Sequence, residues 1–173
     1  MGGCKMNEFI KESIISLDSQ LAAIETCINR LTEKEVWYRF KDGTNSIGNL
    51  CLHLAGSEYA YIVSIVGENP VIRQRSKEFT DDKVADSQQL LQRLKEVRVQ
   101  SKEIMNKMDY SDLMKEIQMP ASKSTVPPEE GKTQSILSVM MYVVEHYAYH
   151  TGQIVYMTKL LQKRSEHILK WRH

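Results

Sequence analysis

Two histidines, His146 and His150, stand four residues apart in VEHYAYHTGQ (144–153), and a third, His53, lies in NSIGNLCLHLAGSEY (45–59). On a helix, residues four apart differ by about 40° around the axis and about 6 Å along it. Two imidazoles so placed can converge on one ion with nitrogen–metal bonds of about 2 Å. The H-x-x-x-H spacing alone is weak, because a hydrogen-bonded pair in a core or on a surface has the same spacing. His53 taken alone reads as a satisfied core histidine. Two features favour the ion when the three are taken together. The pair sits on an apolar stripe, where unpartnered ring nitrogens cost about 1–3 kcal/mol each. His53 sits between Leu50 and Leu54 on another amphipathic segment and can supply the third ligand from a facing helix. Zinc, nickel, iron and cobalt all accept imidazole, so ligand type does not choose among them. Three imidazoles leave a coordination position for water or substrate, the pattern of catalytic rather than structural sites.

The elements that must position these rings are long helices. Ile10, Ile14, Leu17, Leu21, Ile24, Ile28 and Leu31 step by four and three, one stripe on a helix from about Asn7 to Arg30. Thr32 with Glu35 forms a capping-box pattern that opens a short helix. Asp42-Gly43 marks a turn, and Asn45 or Ser46 can cap the second long helix, which carries Ile47, Leu50, Leu54, Tyr61 and Ile65 and ends near Gly67. Residues 68–82 read as a connection. The third helix runs from about Asp82 to Met108, with Leu90, Leu91, Leu94, Val97, Ile104, Met105 and Met108 inward. Residues 109–132 hold Pro120, Pro127, Pro128 and Gly131 and read as an irregular excursion, with one short helical turn within Tyr110 to Ile117. The fourth helix runs from about Thr133 to Gln162, with Ile136, Met140, Val143, Tyr147, His150, Ile154, Met157 and Leu161 on one stripe. With no strand of note, the pattern predicts an all-α four-helix bundle in one domain spanning 1–173.

Composition excludes several classes. Eight glycines and four prolines in 173 residues are too few for the turns of a β-sandwich. A net charge of +1 gives no reason to expect nucleic acid or an anionic membrane. Cys4, Cys27 and Cys51 are odd in number and lack C-x-x-C spacing, so they read as reduced thiols of a cytoplasmic chain. No apolar run approaches a membrane span, and MGGCKMNEF has no hydrophobic signal core.

Other residues have a chemical reading beside a plainer one. Asn49, one turn before His53, can orient a ligand or bond to backbone near the helix start. Gln153 can do the former, although an exposed polar residue fits it better. Glu58 and Glu145 are the carboxylates nearest the histidines in sequence; both read as surface acids rather than as a general base. Cys51 points about 160° away from His53 and reads as a small buried residue. Trp37, Tyr38 and Arg39 can wall the pocket mouth or staple the chain's entry into the second helix. Arg93, Lys95, Arg98 and Lys102 read as a solvated face. In the tail, RSEHILKWRH, His167 and His173 read as solvated.

The segments 45–59 and 144–161 resemble the DinB/YfiT-like superfamily of metalloenzymes, nearest to its DUF1572 group, and helix lengths and order fit over nearly the whole chain. The resemblance implies a divalent metal held by His53, His146 and His150. It implies a small-molecule substrate, with a low-molecular-weight thiol as one class, and a bacterial, often homodimeric protein. The expected activity is activation of a thiol or water, as in a thiol S-transferase or a hydrolase. The rival is a non-catalytic metal-binding, dimerising helical module.

Overall fold

The computed structural model describes residues 7–80, 85–119, 131–163 and 167–168. Cys4, His173 and the three prolines of 120–128 lie outside them. Four long helices carry the fold: α1 (Glu8–Ile28), α3 (Ile47–Glu58), α5 (Ser87–Asn106) and α7 (Ile136–Leu161). Short helices α2 (Glu33–Val36), α4 (Lys77–Thr80) and α6 (Tyr110–Leu113) lie in the connections. The helical bundle predicted from periodicity is therefore the architecture. One addition to the all-α expectation is a two-stranded antiparallel ribbon, β1 (Glu116–Gln118) with β2 (Thr133–Ser135), pairing Glu116 with Ser135. It gathers the two ends of the 109–132 excursion, and α6 supplies the expected helical turn.

Caps set the helix starts. Asn7 Oδ1 accepts from Phe9 N–H at 2.8 Å, and Thr32 with Glu35, Ser46 with Asn49, and Asp86 with Gln89 each form reciprocal capping boxes. The stripe from Ile10 to Ile28 is buried throughout α1. The principal packed pairs are α1 with α7 and α5, and α3 with α5 and α7. Helices consecutive in sequence, α1 with α3 and α5 with α7, are thus diagonal neighbours. Their connections must cross an end of the bundle, which is why they are longer than a hairpin loop.

Two long helices depart from simple amphipathicity. Every residue of α3 is buried, because α4 covers the face that α5 and α7 leave open. A helix of one-sided pattern would leave that face wet. Beyond Glu58 the helix widens into a π-helical segment, Tyr59–Val66. The widened turn shifts the inward positions: Ile62 and Val63 are buried, whereas Tyr61 and Ile65, placed inward by the unbroken four-three stepping, are only partly buried.

The second departure is a charged cluster inside the bundle. Glu58 is fully buried, not a surface acid, and Arg98 is buried rather than part of a solvated face. Glu58 Oε1 lies 2.8 Å from Arg98 Nη1, its Oε2 accepts from Tyr147 O–H at 2.7 Å, and Ser101 O–H donates to it as well. Arg93 and Glu145 are exposed as expected. Replacing Arg98 with Met would strand the Glu58 carboxylate among apolar side chains. The expected loss in unfolding free energy is about 3–5 kcal/mol, read from urea denaturation; the double variant Arg98→Met with Glu58→Gln should recover part of it. A single-variant loss near zero would show that the pair does not hold α3 to α5.

Candidate metal centre

His53 comes from the middle of α3, and His146 and His150 from consecutive turns of α7, the helix packed beside it. The three rings meet. One ring nitrogen from each can be chosen so that all lie within 4.8 Å of one another. His53 Nε2 and His146 Nε2 are 3.0 Å apart, and the ring centroids are separated by 4.9, 5.1 and 4.6 Å for the pairs 53–146, 53–150 and 146–150. His53 is buried, and His146 and His150 are partly buried.

The partners of the other ring nitrogens decide where the lone pairs point. His53 Nδ1 lies 2.9 Å from Glu78 Oε2. An ionised carboxylate can only accept, so Nδ1 carries the proton and Nε2 presents a lone pair to the cluster. The 3.2 Å approach of Arg73 Nη2 to the same Nδ1 is then a contact between two donors that share Glu78 as acceptor. His150 Nδ1 lies 2.7 Å from Gln153 Oε1, which likewise turns its Nε2 inward. His146 Nδ1 is buried with no hydrogen-bond partner. Lone pairs facing one another, beside an unpartnered buried nitrogen, fit a cation at their centre. Zinc–nitrogen bonds of about 2.0–2.1 Å at tetrahedral angles would separate the ligands by about 3.4 Å, a change of a few tenths of an ångström for the closest pair.

Electrostatics favour neutral rings at His146 and His150. Burial, then the neighbouring His150 and His53, then Arg73 and Arg75, hold His146 down to about 3. Burial also lowers His150, with His53 acting in the same direction and the Gln153 hydrogen bond opposing. Burial alone would raise Glu78, but hydrogen bonds from Arg73 and His53 outweigh it and keep the carboxyl below its ordinary range. Arg73 grips Glu78 with two nitrogens, at 2.7 and 2.8 Å.

Glu78, Arg73 and Phe79 were not among the residues the sequence singled out; they sit in 68–82, which reads only as a connection. Phe79 packs on the His53 ring at 4.8 Å. Gly56, one turn after His53, lets α4 come this close, because a Cβ there would collide with the Glu78 carboxylate. Arg39 Nη2 donates to the Phe79 carbonyl at 2.9 Å, so it anchors α4. Trp37 is buried against Gly48 and donates to the Ala85 carbonyl, sealing the start of α3. Asn49 caps α3 and donates through Nδ2 to the Glu78 carbonyl at 3.1 Å, so it holds the residue that partners His53. Gln153 is the partner of His150, not a solvated bystander. Cys51 is buried, and burial pushes its thiol up, as expected of an inert residue. Tyr142 stacks on His146 at 5.4 Å and meets Tyr61, from the π-helical segment, at 4.8 Å. Burial and then Tyr61 push the Tyr142 phenol up to about 12, so it remains protonated.

A depressed imidazole in the folded state means that the unfolded chain takes up its proton first. The contribution of His146 to stability is therefore present above about pH 6.5 and declines as pH falls toward about 3. In a chelator, the melting temperature of the metal-free chain should fall between about pH 6.5 and 4.5 more steeply than that of a His146→Phe variant. Equal slopes would show that His146 titrates normally.

The fold recurs in solved structures. A conserved protein from Enterococcus faecalis superposes with a TM-score of 0.69 at 18% identity, covering 87% of this chain and 95% of its own. YjoA, a DinB-like protein of Bacillus subtilis, gives 0.66 at 12% identity, over 94% and 99%. YfiT of Bacillus subtilis, described as a probable metal-dependent hydrolase with an unusual four-helix bundle topology, gives 0.68 at 17% identity, over 89% and 88%. At these identities the likeness is one of fold. No curated protein is significantly similar in sequence. The model of one family, described as a protein of unknown function, DUF1572, matches residues 5–171. With nearly its whole length matched, the chain belongs to the DUF1572 family, and its fold is that of the DinB/YfiT-like proteins.

Proposed function

We propose that His53, His146 and His150 bind one divalent cation, zinc, nickel or iron, and that the centre serves an enzyme acting on a small molecule. The observation that carries this reading is the arrangement of the second ring nitrogens. Glu78 and Gln153 take the Nδ1 protons of two rings and leave their Nε2 lone pairs facing the third. A divalent ion held there would supply Lewis-acid activation and lower the pKa of a thiol or water. The rest falls to the chain's own groups. Glu78 orients His53 and offsets the charge of Arg73. Tyr142, Phe79 and Tyr149 flank the rings. Among the described residues, Glu78 is the carboxylate that touches these histidines.

Support for the reaction type comes from the fold shared with YfiT and from the neutral ligand set, which leaves the ion's charge to be balanced by an anionic partner such as a thiolate. The reading is a thiol S-transferase or a hydrolase. A single-domain chain, 1–173, pairing with a second copy, is part of the proposal. It draws on the exposed apolar side chains Met141, Tyr149, Tyr156 and Leu160 along α7.

Two experiments test it. Elemental analysis of protein purified without added metal should find about one ion per chain, lost in His150→Ala; Glu78→Gln should retain the ion with about 10–100-fold lower affinity. Unchanged metal content in His150→Ala would reject the site. Second, turnover of an electrophile with a low-molecular-weight thiol should require metal, and a chelator should abolish it while lowering the melting temperature only slightly. A large drop in melting temperature without any turnover would favour the non-catalytic module.

A further inference from the structure

The segment that carries Glu78 has a second face. Behind the Arg73–Glu78 pair, between α3, residues 72–78 and α5, lies a cleft of about 530 Å³, within the roughly 300–1,000 Å³ of small-molecule sites. None of the three histidines lines it. Its floor is apolar: Leu52 and Ala55 from α3 and Leu90 and Val97 from α5, all buried in the fold. Its rim is charged. Arg73, Lys77 and Arg93 face Glu78 and Glu96, an excess of one positive charge.

The acids at this rim are already engaged. Glu78 binds Arg73 and His53, and Glu96 accepts from Gln92 Nε2 at 2.8 Å. The cations are less so. Lys77 and Arg93 are exposed and take part in no ion pair among the described residues. Arg73 uses Nε and Nη2 on Glu78, which leaves Nη1 without a hydrogen bond among the described residues. An apolar floor under one uncompensated positive charge matches a ligand with an aliphatic body and a single negative end.

We propose that this cleft is a second ligand site, distinct from the histidine centre, for a small amphiphilic monoanion: an aliphatic chain over Leu52, Ala55, Leu90 and Val97, with its carboxylate at Lys77, Arg93 and Arg73 Nη1. The site needs no metal, so it stands or falls separately from the function proposed above. Arg73 belongs to both sites, which makes it the physical link between them.

Titration calorimetry of the full chain with octanoate, with and without metal, tests this. Octanoate should bind at one saturable site, and 1-octanol, of the same length without the charge, about tenfold more weakly or worse. The double variant Lys77→Gln/Arg93→Gln, confined to exposed side chains, should weaken octanoate about tenfold. Val97→Phe should block it by filling the floor, and His150→Ala should leave it unchanged. The proposal is overturned by the absence of saturable binding, by equal affinity for octanol, or by indifference to the double variant or to Val97→Phe. Loss of octanoate binding in His150→Ala would overturn it too, because the carboxylate would then sit at the histidine centre.

Discussion

The hydrogen bond from His53 Nδ1 to Glu78 is the contact on which the site depends. It is 2.9 Å long, buried, and joins a residue in the middle of α3 to a four-residue helix in a connection. A neutral imidazole has one proton and two nitrogens, so the group that takes the proton decides where the lone pair points. Glu78 takes it, and the lone pair faces α7. The carboxylate stays ionised while buried because Arg73 holds it with two nitrogens. Arg73 and Glu78 together carry no net charge, so the bundle gains an oriented ligand without burying an unpaired ion.

The remaining structure brings those two groups to that place. Because α1 and α3 are diagonal across the bundle, the chain between them crosses one end and passes Trp37 under the start of α3 and Arg39 toward α4. Arg39 and Asn49 hold the carbonyls of Phe79 and Glu78, and Gly56 leaves room for the carboxylate. Each of these acts on α4 rather than on a histidine. At the far end of α3, Glu58 ties the helix to α5 through Arg98 and to α7 through Tyr147. Tyr147 adjoins His146 in sequence, so one buried cluster fixes the depth at which α7 presents its rings. The π-helical turns that follow Glu58 set Tyr61 against Tyr142.

What the sequence disclosed depends on how local its cause is. The stripe of α1, the capping boxes and the H-x-x-x-H pair are consequences of helical periodicity, and they were legible. The convergence of His53 with that pair was legible as a possibility, since two amphipathic helices with polar rings on their apolar faces have few ways to satisfy them. Glu58 and Arg98 were misread because a charge on a helix suggests solvent unless its partner is known, and the partners are 40 residues apart. Tyr61 was placed inward because a π turn leaves no mark in a hydrophobic stripe until the register has slipped. Glu78 was invisible for a related reason: a four-residue helix has too few positions to show a period, and its role is set by tertiary contact alone. Gln153 shows the converse. It stands one turn from His150, close enough for the local rule to find it, yet its polar side chain looked like any other solvated one.

The same field that keeps protons off His146 and His150 would weigh less against a metal. Burial lowers His146 most, then each neighbouring imidazole, then Arg73 and Arg75, because a proton added to this ring is a full charge that is poorly solvated and satisfies only one lone pair. A divalent ion can be shared by three lone pairs at once. Its charge would be spread over bonds to all three rings, and the Glu78 carboxylate lies one imidazole away. Burial thus penalises the competitor more than the ligand set. An ion held by three neutral nitrogens would keep its full positive charge, and the compensation it would lack is negative. The partner that such a balance of charge would favour is an anion.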